Sequence, residues 1–462
     1  MGVSMGLSLT HVSDETAKFT GPEVEVIARE TGFVQRESSV DGMAFLQALT
    51  FGFLEKEDLS LNDLAQICAD MGVEITAQGL DQRITEKAVV FLEAMFARAM
   101  DLFRNRIPLP LTILQQFSGI YLTDSSVIPL PSSLAQDYPG CGGNGPEASL
   151  KAQLVFDFLH GNLVQVALRA GREPDQGYRE YLQVIPEGAL SITDLGYFAL
   201  GSFKTIMYDR NAYFLSRFRP KTGLLTPEGE PIDLLARLRE GSPGPIEFPV
   251  LLGKQAKHRL PCRLIALPVP QEVSDRRRHK AKKKARRQNT TVSKRTLDLM
   301  DWTIFVTNVP TEMLSSRQIA VLYPVRWQIE LVFKLWKSHC GLRRVAGFRR
   351  ERILVELYAK LIGVVLTHFL IAPLRMPEDP LTNREISSVK VRKILQRFAR
   401  DLNRCLGHSV KFQVVLAEML CHIERFGFKE KRKKEPNTCH ALALASAMCG
   451  LQFDVNPVVR LA

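Results

Sequence analysis

No C-x-x-C pair occurs among the eight cysteines, which stand at positions 68, 141, 262, 340, 405, 421, 439 and 449. The spacing of Cys405, His408, Cys421, His422, Cys439 and His440 fits no standard zinc pattern. Free thiols are therefore expected, rather than a disulfide framework. The opening MGVSMGLSLTHVSDE has neither a basic stretch nor a long apolar one, so no secretory signal is expected. Position 6 is Gly where an N-terminal acylation signal has Ser or Thr. The longest apolar run, around Leu361 to Leu374, is shorter than a bilayer span and contains His368 and Pro373. It reads as a buried helix, with no membrane role. Internal repeats are also missing.

Acidic residues are outnumbered: 61 Lys and Arg face 49 Asp and Glu, for a net charge of +12. Such an excess suits a polyanion such as nucleic acid, although charge alone fits a basic protein without that partner equally well. With 462 residues, 45% of them hydrophobic, the chain is long enough for two to four domains and a large core.

The texture of the chain divides it into five segments. Residues 1–108 read as a helical N-terminal domain, with helical spacing strongest from Asp81 to Phe103. Residues 109–217 alternate strands and helices. Strand-like segments run from Gly119 to Asp124, Ala152 to Leu159, Leu163 to Leu168, Leu190 to Asp194 and Ala212 to Arg217, and the second and third form a hairpin candidate at His160-Gly161-Asn162. Helices are expected from Gln176 to Leu182 and from Leu200 to Asp209, and a loop from Pro129 to Pro146. Residues 218–300 read as a β-rich insertion, with strands at Ile246 to Leu252 and Pro261 to Val269. Its basic run, Arg276 to Arg287, reads as a mobile solvated loop that contacts phosphates. Residues 301–378 return to the core through a strand at Trp302 to Thr307 and a helix from Pro324 to about Cys340. Residues 379–462 form a helical C-terminal region, with helices at Glu385 to Leu402 and Val410 to Arg425 and a second basic patch at Lys429 to Lys434.

The segment from Tyr323 to Lys337 carries the most information. At helical pitch, Tyr323, Arg326, Glu330, Lys334 and Lys337 fall within roughly an 80° arc. Val325, Ile329, Val332 and Trp336 form an apolar stripe on another side. Two readings stay open from the residues alone: a surface ion-pair ladder, or a carboxylate metal ligand flanked by phosphate-binding cations.

Tyr323, Arg326, Glu330 and Lys337 resemble the Y-R-E-K signature of bacterial insertion-sequence transposases of the DDE class. Arg326-Trp327-Gln328-Ile329-Glu330, Phe333-Lys334 and the turn Thr307-Asn308-Val309-Pro310 resemble that family's flanking sequences. The resemblance covers roughly residues 115 to 345 and implies a ribonuclease-H-like mixed-sheet α/β core. That core would be interrupted by the β-rich insertion and flanked by helical N- and C-terminal regions. It also implies two further aspartates near strand ends. Tyr121-Leu122-Thr123-Asp124 and Ile192-Thr193-Asp194-Leu195-Gly196-Tyr197 supply them; taken alone, either Asp would be read as a cap or turn residue. Ser125-Ser126 and Leu195 depart from the family's usual residues.

The resemblance implies catalysis by Asp124, Asp194 and Glu330, holding two Mg²⁺ ions for which Mn²⁺ substitutes. Asp124 would bridge the two. Tyr323, Arg326, Lys334 and Lys337 are then expected at DNA phosphates. Trp302 would stack on a displaced base or simply fill a core, and Arg217 would bind DNA or form a structural ion pair. The expected partners are double-stranded DNA, as transposon end and as target, and a second copy of the chain in a synaptic complex. Action in the bacterial cytoplasm by cut-and-paste follows. The N-terminal helices are candidates for end recognition and the C-terminal ones for dimerisation. Competing readings are an inactive DNA-binding relative, a ribonuclease-H-like nuclease without strand transfer, and, more distantly, an RNA-binding protein.

Overall fold

The computed structural model describes residues 9–36, 39–143, 145–241, 244–345, 347–371, 374, 385–430 and 438–447. Six helices open it: α1 (Leu9–Phe19), α2 (Glu23–Glu30), α3 (Gly42–Glu55), α4 (Leu61–Asp70), α5 (Ala77–Arg83) and α6 (Glu86–Leu102). Their starts follow capping chemistry. Asp41 accepts from the Ala44 amide, and Ser60 and Asp63 form a reciprocal capping box. The helix expected from Asp81 onward is two helices, because Ile84 and Thr85 leave helical geometry and Thr85 takes the N-cap position of α6.

The strands are β1 (Ile120–Leu130), β2 (Ala148–Asp157), β3 (Asn162–Ala170), β4 (Leu190–Thr193), β5 (Tyr213–Arg217), β6 (Leu224–Leu225), β7 (Ile246–Leu252), β8 (Leu260–Pro268) and β9 (Trp302–Thr307). They make one nine-stranded sheet, ordered β3-β2-β1-β4-β5-β9-β8-β7-β6. β1, β4 and β5 run parallel, while β2, β3 and β9 pair antiparallel to their neighbours. The His160-Gly161-Asn162 turn joins β2 to β3, with Gly161 at positive φ. Residues 218–300 add β6, β7 and β8 to the same sheet through β9. Asn308 fixes that junction: its side chain accepts from the Phe214 amide and donates to the Ala212 carbonyl.

Helices α7 (Leu200–Lys204), α8 (Leu234–Arg239), α9 (Gln271–Arg287) and α10 (Lys294–Asp298) connect the strands. The expected helix from Gln176 to Leu182 is replaced by two 3₁₀ turns, 175–177 and 180–184. The basic run is not the loop that its charge suggested but lies in α9. Its Lys, Arg and Ala residues are good helix formers, and no Gly or Pro interrupts them. Val273, Ser274 and Ala285 are buried, and Arg278 pairs with Asp301 (2.5 Å), which anchors the helix on one side.

Helices α11 (Ser316–Leu322), α12 (Trp327–His339), α13 (Arg350–Ile371), α14 (Ser388–Cys405), α15 (Ser409–Phe426) and α16 (Thr438–Ala447) complete the chain. One core joins α1 through α6, one face of the sheet, and α12 through α16. A second core covers the opposite face. α13 is long and apolar enough to cross a membrane, but its apolar stretch, from Ile353 to Ile371, is buried inside the first core. Cys68, Cys141, Cys262, Cys340, Cys405, Cys421 and Cys439 are free thiols. Residues 431–437, which hold most of the second basic patch, and Cys449 lie outside the described residues.

Candidate active site

The sheet register brings the two aspartates together. β1 pairs with β4 from Ile120↔Leu190 to Thr123↔Thr193. Asp124 and Asp194 are each the next residue: Asp194 follows the carboxyl end of β4, while Asp124 lies inside β1, which the expectation had placed near a strand end, because pairing with β2 carries that strand on to Leu130 after the pairing with β4 stops. Asp124 shares side-chain parity with Ile120, Leu122 and Ile128, which belong to the first core. Its side chain therefore lies on the face that α12 covers.

Local hydrogen bonds set both carboxylates. Asp124 Oδ1 accepts from the Ser125 amide (2.8 Å), and Asp194 Oδ1 from the Gly196 amide (2.7 Å). A Cβ at position 196 would come within 2.9 Å of that Asp194 oxygen, which accounts for the glycine.

Glu330 arrives on α12. The approach to this helix differs from the expected start at Pro324: α11 leads into a 3₁₀ turn over 323–326, and α12 follows. At three residues per turn, Tyr323 and Arg326 nearly eclipse one another. Tyr323 is buried against Phe305, with ring centroids 4.9 Å apart. Arg326 bridges two of the three carboxylates, donating to Asp124 Oδ2 (3.4 Å) and Glu330 Oε1 (2.7 Å).

Burial, aided by the charges of Asp194 and Glu330, pushes the Asp124 carboxyl up to about 6, against the opposing pull of Arg326 and the Ser125 amide. Asp194 and Arg217 also act on Tyr323, whose hydroxyl is raised mainly by burial. Asp124, Asp194, Glu330, Arg326, Tyr323 and Arg217 therefore form one electrostatic neighbourhood.

Lys337 also reaches the site, donating to Ser126 Oγ (2.6 Å) on β1, and burial lowers its pKa. Lys334 is exposed on the same helix. Trp302 is not brought to this neighbourhood. It packs half-buried against the second core, on the sheet's other face.

Beneath the aspartates lies a network that the sequence reading missed. Asp175 accepts from Ser125 Oγ (2.8 Å), Lys151 Nζ (3.2 Å) and Gln153 Nε2 (3.2 Å), and the Tyr197 hydroxyl donates to Gln153. The signal was present as two polar residues, Lys151 and Gln153, at alternate positions of a strand that is buried throughout. Trp327, 47% exposed beside Arg326, is another surface feature to which no role was given.

A family of proteins described as carrying a transposase DDE domain matches residues 115–366, more than half of the chain. The chain belongs to the DDE transposase family. It is thus an enzyme that cuts DNA and transfers strands. The transposase for insertion sequence element IS1151 of Clostridium perfringens is 25% identical over 447 residues, covering 91% of this chain and 93% of that one. The transposase for IS231D of Bacillus thuringiensis subsp. finitimus is 27% identical over 425 residues, covering 86% and 87%. Among solved structures, a cryo-EM piggyBac transposase synaptic complex with hairpin DNA aligns over 92% of this transposase and 84% of that chain. The TM-score is 0.43 and the identity 10%.

The donors available for a metal are all oxygens, the preference of Mg²⁺ and Mn²⁺. Among the described residues no three acidic, His or Cys side chains already converge as a closed ligand set. Arg326 lies between Asp124 and Glu330 instead. A carboxylate raised mainly by burial, and further by two like charges, is nevertheless a fitting partner for a dication, which would offset both.

Proposed function

We propose that Asp124, Asp194 and Glu330 are the catalytic trio of an insertion-sequence transposase that excises its element by cut-and-paste and inserts it into target DNA. The observation that supports this most directly is the register Thr123↔Thr193, which sets two aspartates side by side, with Glu330 tied to the first through Arg326. The three carboxylates would hold two Mg²⁺ ions, with Mn²⁺ as a substitute. The bound metal supplies an activated nucleophile and neutralises charge at the departing oxygen.

The chain's own groups do the positioning. The Ser125 and Gly196 amides orient the two aspartates. Lys337 steadies the catalytic strand through Ser126. Arg326, Lys334, Lys337, Arg217 and Tyr323 would face phosphates of the transposon end, which fix DNA register without reading sequence. Arg326 then competes between phosphate and its two carboxylates. Trp302 is retained as a base-stacking candidate only for a DNA-bound arrangement that exposes its ring.

The sheet segment β3-β2-β1-β4-β5, with three parallel strands and an antiparallel hairpin at one edge, supports a ribonuclease-H-like core over 109–217 and 301–378. Residues 218–300 would be its insertion. The helices of 1–108 are proposed for end recognition and those of 379–462 for pairing two copies in a synaptic complex. The reaction would take place in the bacterial cytoplasm.

Purified protein with Asp124→Asn, Asp194→Asn or Glu330→Gln should lose cleavage of a duplex carrying the terminal repeat that borders its gene, assayed in Mg²⁺. Near-normal cutting by any folded variant removes that residue from the trio. Insertion of precut ends into a plasmid separates a transposase from a nuclease that only cuts.

A further inference from the structure

Arg277 sits on the anchored side of α9, yet its charge is not used there. Its neighbour Arg278 is paired with Asp301 and Asp275. Arg277 instead donates to two neutral acceptors, the Trp302 carbonyl (3.2 Å) and Thr303 Oγ1 (2.9 Å). Among the described residues, no carboxylate lies within ion-pair distance of it.

The register shows where this guanidinium points. Arg217 pairs with Phe305 across β5 and β9, so their side chains share a face. Thr303, two residues earlier on β9, lies on that face as well. Phe305 carries the Tyr323 ring, and Tyr323 feels both Arg217 and Asp194. Arg277 therefore reaches from the insertion onto the face that bears the three carboxylates, at Thr303, the diagonal neighbour of Arg217 across β5 and β9. Burial and the Arg217 charge together pull its pKa down to about 10. The two like charges repel one another, and a bound anion between them would offset the charge that Arg277 carries there.

We propose that Arg277 and Arg217 form a seat for one phosphate of bound end DNA, next to the catalytic carboxylates. Paired arginines present planar donor forks suited to phosphate oxygens. The seat joins the insertion to the core through the ligand, so end DNA would clamp α9 against β9. This inference rests on the transposase reading and adds to it a residue, Arg277, that lies outside the Y-R-E-K helix.

The test is a neutral-phosphate scan. Single methylphosphonates are placed along the terminal-repeat duplex, and binding is measured for wild type, Arg277→Gln, Arg277→Lys and Arg217→Gln. Wild type should lose fivefold or more at a few positions, on the order of one charge-assisted contact each. At one of these the loss should vanish in Arg277→Gln and in Arg217→Gln alike, and return in Arg277→Lys. The slope of log affinity on log salt should become shallower by about 0.9 in each Gln variant. Should Arg277→Gln not fold, the Arg217→Gln and Arg277→Lys scans still identify the phosphate. Unchanged scans and slopes, or loss of two different phosphates, overturn the seat, even with weaker overall binding. Wild-type protein that neither binds nor cuts this duplex counts instead against the transposase reading itself.

Discussion

Asp124 is 20% exposed and has two other carboxylates for neighbours, with one arginine to offset them. In the metal-free protein its folded pKa of about 6 stands above the ordinary 3.8. The folded state therefore holds this proton more tightly than the unfolded chain does. Below the unfolded value both states are protonated and no penalty is felt; the penalty grows as pH rises and is complete above the folded value. At pH 7.5 it amounts to about 3 kcal/mol. Asp124→Asn should thus raise the melting temperature of metal-free protein at pH 7.5, and the gain should disappear below about pH 4, while cleavage is abolished. Added Mg²⁺ should stabilise wild type and leave the Asn variant nearly unmoved. An Asn variant no more stable than wild type at pH 7.5 would mean that this carboxylate is not strained. At this scale the sequence singled out Asp124, Asp194 and Glu330 by their types and flanks, and the fold sets them in one electrostatic neighbourhood. The sequence did not show that Arg326 would occupy the space between two of them, since that contact joins residues on separate elements.

α9 shows what charge conceals at the scale of an element. Twelve positions dominated by cations read as a solvated loop, yet helix propensity and two buried apolar contacts at Val273 and Ala285 suffice to order them. Lys280, Lys283 and Arg287 are exposed and, among the described residues, have no ion-pair partner. Replacing all three with Gln preserves helix propensity. If each meets one phosphate, the salt slope of DNA binding should drop by about 2.7, with circular dichroism unchanged. An unaltered slope would remove this helix from the DNA path. The strands were more legible than the helices: β7 and β8 fell within a residue of expectation, because alternation needs few residues to declare itself. β1 runs past Asp124 to Leu130, two residues into the stretch read as loop from Pro129, because its pairing with β2 continues that far. The 3₁₀ turn over 323–326 was likewise hidden, since helical spacing alone does not distinguish three residues per turn from 3.6.

Across the whole molecule, a single buried core ties the outer helices to the chemistry. Arg392 on α14 donates to the Leu54 (2.6 Å) and Phe53 (3.3 Å) carbonyls in the last turn of α3. It also lies against Cys340, which ends α12, the helix that bears Glu330. One guanidinium thus satisfies carbonyls that a helix terminus leaves without partners, and joins an N-terminal helix, a C-terminal helix and the helix that bears Glu330. Arg392→Met would keep most of the volume but strand those carbonyls in an apolar interior. The cost should be about 2–4 kcal/mol, read as a lower denaturation midpoint with an unchanged slope. Because the first core is continuous from Val12 to Ala445, unfolding should remain a single transition in which cleavage activity and helical signal fall together. Helical signal lost in two steps, with cleavage surviving the first, would show instead that the outer helices fold apart from the nine-stranded sheet. The arginine would then stabilise a flank rather than the site.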